Sequence, residues 1–186
     1  MRLFIATTFP PEILRPLNEC LDKLKPKLPS ASWVRPETQH LTFAFLGEQD
    51  EAIIKRLQID GEAFDAFLRG CGFFPNHRHA RVGWVGAEPQ ERFIALARRV
   101  RDAVVAAGVD LDQTEFRPHL TLMRIRDRWP PKTIDTFERA LGDYQSAPFA
   151  IREVTLFVSQ LSPKGAIHTP VRQFALARGS ASQPDL

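Results

Sequence analysis

The chain has 186 residues, 44% hydrophobic and 25% charged, with a formal net charge of +3. That is the balance of one compact globular domain with enough chain to bury a core, and it excludes a histone-like polycation. No apolar run approaches the roughly 20 residues a membrane helix needs, so no membrane partner is expected. The cations are nineteen arginines and six lysines, a ratio that suits bidentate phosphate contacts and that genome base composition can also produce. Two cysteines, Cys20 and Cys71, form neither a disulfide framework nor a zinc-ligand spacing. They read as buried thiols. The opening MRLFIATTFPPEIL lacks the charge–apolar–cleavage pattern of a signal peptide. A reducing cytoplasmic location and a monomer are the expectation.

Arg2 to Thr7 reads as a first strand, closed by Pro10-Pro11. Ile13, Leu14, Leu17, Leu21 and Leu24 have helical spacing over Pro11 to Leu24, with Pro16 expected to kink or delay the helix. Lys25 to Ser30 is a breaker stretch, and Pro36 to Gln39 a turn. A strand then runs from His40 to about Leu46, ended by Gly47. Asp50 is a candidate N-cap for a helix over Glu51 to Ile59. Phe64 to Leu68 and Arg81 to Val85 read as strands, separated by a loop from Gly70 to Ala80. Glu91 to Ala107 is the clearest helix, with Phe93, Leu96, Val100 and Val104 as its stripe and Gly108 as its stop. A second strand begins at His119 and runs to about Ile125. A helix from about Lys132 to Leu141, strands over Phe149 to Val158 and Ile167 to Leu176, and a small polar tail complete the chain. The division predicted is one bilobed domain over residues 1–176 and a disordered tail over 177–186.

The most informative feature is a repeated triplet. His40-Leu41-Thr42 and His119-Leu120-Thr121 lie 79 positions apart, each within an apolar run and each preceded by Arg-Pro. Along a strand, side chains alternate faces. Each triplet therefore presents an imidazole and a hydroxyl together, backed by Leu41 and Phe43 or by Leu120 and Leu122. A lone His-x-Thr on a strand is usually incidental. Two copies at matching places in two halves suggest one shared cleft. Imidazoles near their ordinary pKa of 6.5 can divide into one base and one acid at neutral pH. That is the requirement for concerted opening of a cyclic phosphodiester by water. Threonine hydroxyls and an arginine would hold the phosphate. A zinc site using His40, His119 and His168 is the competing reading, but no carboxylate or cysteine lies at ligand spacing to either triplet. His77 and His79 sit in a polar loop and read as solvated. His168 either lines the cleft or merely begins the last strand. Phe43, Phe45, Phe73 and Phe74 read as core. Strict alternation turns Phe45 away from His40, so it reaches a cleft only if the strand bulges.

On these residues the chain resembles the RNA 2′,3′-cyclic phosphodiesterase (2′-5′ RNA ligase) family of the 2H phosphoesterase superfamily, whose defining feature is two His-x-Thr/Ser motifs. Further matches are MRLFIAT, WVRPETQHLTFAFLG, GFFPNHRHARVGWVG, FRPHLTLMR and VTLFVSQLSPKG, covering about residues 1–176. The resemblance implies an α+β fold of two pseudo-symmetric lobes, each an antiparallel sheet with flanking helices, and a cleft between them. It implies hydrolysis of a terminal 2′,3′-cyclic phosphate on RNA to a 2′-phosphomonoester, without metal or other cofactor, and a possible reverse ligation. By the same likeness His40 protonates the departing 3′ oxygen and His119 activates water. Thr42 and Thr121 hold the phosphate, Arg124 contacts the substrate, and Phe45 stacks on the terminal base. The family usually carries a tyrosine where this chain has Gly165-Ala166-Ile167-His168, which leaves base preference and pH dependence open. A phosphodiesterase acting on a small cyclic nucleotide, of the ADP-ribose cyclic phosphate type, is an alternative within the same chemistry. A non-catalytic RNA-end binder is another, which would have no need of paired histidines.

Overall fold

The computed structural model describes residues 1–112, 114–163 and 165–178. Among the described residues nine strands form two antiparallel sheets. The first contains β1 (Arg2–Thr8), β3 (His40–Glu48), β8 (Glu153–Ser162) and β9 (Gly165–Ala175), in the order β3-β1-β8-β9. The second contains β2 (Ser32–Trp33), β4 (Phe64–Phe74), β5 (Val82–Glu88), β6 (His119–Arg124) and β7 (Phe149–Ile151), in the order β2-β6-β5-β4-β7. The lobes are thus not two consecutive halves of the chain. The first sheet is closed by strands from both ends, and the second is built from the middle.

Two long helices cover the sheets. α1 (Pro11–Leu24) buries Ile13, Leu14, Leu17, Leu21 and Leu24. Pro16 stays inside it without breaking it. The bond forfeited is to the carbonyl of Glu12, and both residues are exposed, so water can satisfy that oxygen. α3 (Gln90–Ala106) buries the predicted stripe and packs against β3 and β5. Gly108, at φ +90°, supplies the left-handed turn that ends it. α4 (Pro131–Leu141) packs on β4, with Pro131 at its first position. One continuous apolar core runs through both lobes.

Three predicted elements differ. The helix expected over Glu51 to Ile59 is a short α2 (Ala52–Arg56), with no side-chain cap from Asp50. Leu57 is already extended, and both Leu57 and Ile59 are buried as chain rather than helix. The strand expected to end at Leu68 continues to Phe74, because Gly70 at φ +66° absorbs an irregularity in register. The predicted strand from Phe149 to Val158 is two strands in different sheets. β7 pairs with β4, β8 pairs with β1, and Arg152 marks the crossing. At the C-terminus, Ala177 was expected in the disordered tail, yet it bridges Glu62 and exchanges backbone bonds with Gly61 and Ala63 at 2.9 and 2.7 Å. Residues 179–186 lie outside the described residues.

The irregularity that matters most lies in the two HLT strands. Ile5 pairs with Ala44 but Ala6 pairs with Thr42, so Phe43 is an extra residue in β3. Gly83 pairs with Met123 but Trp84 pairs with Thr121, so Leu122 is an extra residue in β6. Both strands bulge directly after the threonine. Both show the same sequence of burial, half-buried histidine, buried leucine, half-buried threonine, two buried residues, then an exposed one. The bulge inverts the alternation, so Phe45 and Arg124 occupy equivalent positions on the faces that carry the histidines. Phe45 is 68% exposed, not core as expected. Leu120→Ala is expected to cost roughly 2–5 kcal/mol, whereas Phe45→Ala should change stability by less than about 0.5 kcal/mol. Urea titration of both variants checks this, and a large loss in Phe45→Ala would contradict the bulged register.

Candidate active site

The cleft face of the first sheet follows from its register. Phe45, Phe4 and Phe157 stand side by side across β3, β1 and β8. The Phe4 ring stacks on Phe157 at 5.2 Å and lies 6.2 Å from Phe45. Phe4, Ala6 and Phe157 form a small apolar cluster separate from the main core. His40 rests on Phe4 at 4.9 Å, and His168 meets Phe4 edge-on at 4.9 Å and His40 edge-on at 5.1 Å. In the second sheet His119 lies edge-on to Phe74 at 4.8 Å, with Trp84 at 6.3 Å. Phe74 is therefore a half-buried support for His119 and not core. Gly72 makes room for this support, since a Cβ there would stand 2.5 Å from the Trp84 ring.

Both imidazoles are oriented in the same way. The His40 Nδ1–H donates to the Thr38 carbonyl at 2.6 Å, and the His119 Nδ1–H donates to the Arg117 carbonyl at 2.7 Å. A carbonyl oxygen can only accept, so the proton must sit on Nδ1, and Nε2 is left free in each ring. The turn that carries the Thr38 carbonyl is itself held. Gln39, 3% exposed, and Asn18 of α1 exchange two amide hydrogen bonds of 2.9 and 3.0 Å.

The predicted residues come together around two adjoining hollows. A cavity of about 730 Å³ is bordered by His40, Phe45, Arg124 and His168, with Phe4 among its walls. A smaller one of about 170 Å³ is bordered by His119, Thr42 and, again, Phe45. Thr121 shares the His119 face of β6. His77 and His79 stay exposed in a short 3₁₀ turn away from this cleft. Among the described residues no three His, Cys, Asp or Glu side chains gather into a metal-ligand set. No helix among them is long and apolar enough to cross a membrane. Burial raises the Cys71 thiol to about 12, with Glu138 adding to the effect, so it is not a nucleophile at neutral pH.

Burial sets the charge of the imidazoles. Burial lowers the His40 pKa to about 4. Its bond to the Thr38 carbonyl opposes this, and His168, His119 and Arg124 reinforce it. Burial also lowers His119, opposed by the Arg117 carbonyl and reinforced by Arg124. Burial lowers His168 as well. Burial thus favours neutral imidazoles, with the Arg124 guanidinium beside them, an arrangement that attracts an anion.

The family model of the 2′-5′ RNA ligase superfamily matches residues 9–162. The chain belongs to that superfamily. The RNA 2′,3′-cyclic phosphodiesterase of Methanothermobacter thermautotrophicus is 30% identical, over 95% of this chain and 99% of its own length. The crystal structure of TT0787 of Thermus thermophilus superposes with a TM-score of 0.75 at 30% identity, covering 97% of this chain and 100% of that one. Escherichia coli LigT complexed with 3′-AMP superposes with a TM-score of 0.71 at 25% identity, covering 95% and 98%. This superfamily member is an enzyme of the phosphodiesterase class.

Sequence reasoning missed the supports of the site. Phe4 could have been found from its own strand, where alternation sets Phe4 and Ala6 opposite Leu3 and Ile5. Phe74, Trp84 and the Asn18–Gln39 pair carried no such signal, because they meet the histidines only through the folding of distant segments. Asn18→Ala would leave the Gln39 amide buried and unpaired, and is expected to cost roughly 1–3 kcal/mol. Urea unfolding measures it, and unchanged stability would show that the pair does not hold the turn.

Proposed function

We propose that this enzyme hydrolyses a terminal 2′,3′-cyclic phosphate of RNA to a 2′-phosphomonoester by acid–base catalysis between His40 and His119. The observation that carries the reading is the pair of bulged His-x-Thr strands. His40 and Arg124 border one hollow and His119 the other, the two sharing Phe45, and each imidazole has its Nε2 free. The 3′-AMP complex of E. coli LigT supports a nucleoside phosphate as the ligand.

The two hollows suggest the division of labour. A nucleoside needs the larger hollow, beside His40 and the Phe45–Phe4–Phe157 row, where an aromatic ring can take a base. The smaller hollow, beside His119, suits a water. In-line displacement sets the entering and leaving oxygens on opposite sides of phosphorus. The water oxygen attacks phosphorus while its proton passes to His119 Nε2. The bond from phosphorus to the ribose 3′ oxygen breaks, and His40 Nε2 gives its proton to that oxygen. Thr42 and Thr121 donate to the non-bridging oxygens, and Arg124 offsets the charge that builds there. His40 takes up the proton it needs from solvent when the substrate binds, since the adjacent anion favours imidazolium over imidazole. Ligation, with a 5′-hydroxyl attacking phosphorus in place of water, uses the same groups in the same roles and gives a 2′-5′ linkage.

An oligonucleotide ending in a 2′,3′-cyclic phosphate tests this reading. The product should be the 2′-phosphate, with turnover unaffected by a chelator. His40→Ala and His119→Ala should each lower kcat about 10²–10⁴-fold with the fold retained. Near-wild-type activity in either variant, or a 3′-phosphate product, would overturn it. The pH dependence follows from the lowered imidazoles. kcat/KM, which reports the free enzyme, should peak below pH 6.5, where both groups titrate. kcat, which reports the loaded enzyme, should persist to higher pH because the bound phosphate raises them again. A kcat/KM bell centred above about pH 7 would contradict the burial-driven shifts.

A further inference from the structure

Beyond Arg124 the chain leaves β6 and bends at Asp127. Arg124, Arg126 and Arg128 are exposed, while Ile125 and Trp129 are buried. Arg126, Asp127 and Arg128 are three consecutive exposed side chains at that bend. The β4–β5 connection lies against this run. Ile125 donates its N–H to the Arg81 carbonyl at 2.8 Å, and the Arg81 guanidinium donates to the Arg126 carbonyl. The Asn76 side chain accepts from the backbone of Arg78 and His79 at 3.0 and 3.1 Å, fixing the turn that carries them.

This surface is hollowed. Arg78, Arg81, Arg128 and Trp129 border a recess of about 70 Å³. It adjoins a second of about 510 Å³, bordered by Arg78, His77, Arg128 and Trp129, with Asp135 at its edge. Trp129 is 4% exposed, and its indole N–H has no hydrogen-bond partner. Four arginines elsewhere are neutralised locally, in Arg92–Glu62, Arg99–Asp60, Arg101–Asp112 and Arg117–Glu115. Among the described residues, Arg78, Arg126 and Arg128 join no ion pair, although Asp127 and Asp135 lie in the same segment. The run starts at the cleft: Arg124 borders the large cavity and pairs with Val82, the neighbour of Arg81.

We propose that the RNA strand leading up to the cyclic phosphate leaves the cleft past Arg124 and is held by its phosphates on a basic track formed by Arg126, Arg128 and Arg78. The phosphodiesterase reading supplies the identity of that strand. Arginine suits the task because its planar fork binds phosphate bidentately whatever the base. The track therefore selects for strand length and not for sequence, while the aromatic row of the cleft handles the terminal base.

The test compares the wild type with an Arg78→Ala/Arg126→Ala/Arg128→Ala variant, using fluorescence anisotropy of labelled RNA ending in a 3′-phosphate. One ligand is a dinucleotide and the other a 12-mer. The wild type should bind the 12-mer about tenfold tighter or better. The variant should lose that advantage and keep its dinucleotide affinity and its melting temperature. The slope of log affinity against log salt for the 12-mer should fall by about 2, near 0.7 for each single-strand phosphate that is no longer neutralised. A variant that binds the 12-mer like the wild type, or a wild type that does not distinguish the two lengths, would overturn the track. Equal loss on both ligands would also overturn it, by placing the arginines' effect at the cleft. No turnover is involved, so a failure of the phosphodiesterase reading would show in the hydrolysis assay and leave this result separate.

Discussion

The site depends on one backbone irregularity used twice. A regular strand would give the cleft His40, Thr42, Ala44 and Leu46, and would bury Phe45 opposite them. The extra residue after each threonine changes this. Each strand can then present a histidine, a threonine and a third functional side chain to one face while its leucines and neighbouring apolar residues stay in the core. The third side chain is where the lobes diverge, an aromatic ring in Phe45 and a cation in Arg124. A near-symmetric pair of strands thus yields an asymmetric cleft, with aromatic walls toward the first sheet and positive charge at the end of the second.

Charge follows from burial. Each imidazole is packed against an aromatic ring and commits its Nδ1 proton to a backbone carbonyl. That leaves Nε2 of each ring free and holds the ring still. The same packing removes water, so the charged form is disfavoured, and Arg124 reinforces this in both rings. In the proposed mechanism, an anionic ligand's own charge then favours the protonation that burial opposes. His168 adds a third imidazole in edge contact with His40.

Much of this was legible in the sequence, for definite reasons. Both HLT strands, α1, and α3 with its Phe93–Val104 stripe follow from short-range periodicity, which the chain carries locally. Repetition of the triplet pointed to a shared cleft because two similar strands in two lobes have few other uses for paired polar faces. What was not legible depends on pairing between distant segments. The bulges at Phe43 and Leu122 are set by the registers of β1 and β5. The division of Phe149 to Val158 at Arg152 is set by two sheets competing for one apolar run. The shifts of His40 and His119 come from burial that no local pattern reveals.

The central claim is a single in-line displacement shared between two imidazoles, with water as the nucleophile. The most direct measurement is the stereochemical course at phosphorus. A 2′,3′-cyclic phosphorothioate of defined configuration, hydrolysed in water enriched in oxygen-18, should give a 2′-phosphorothioate with inverted configuration and the label on phosphorus. Retention would mean two successive displacements through a covalent enzyme intermediate, and would contradict direct attack by water between His119 and His40.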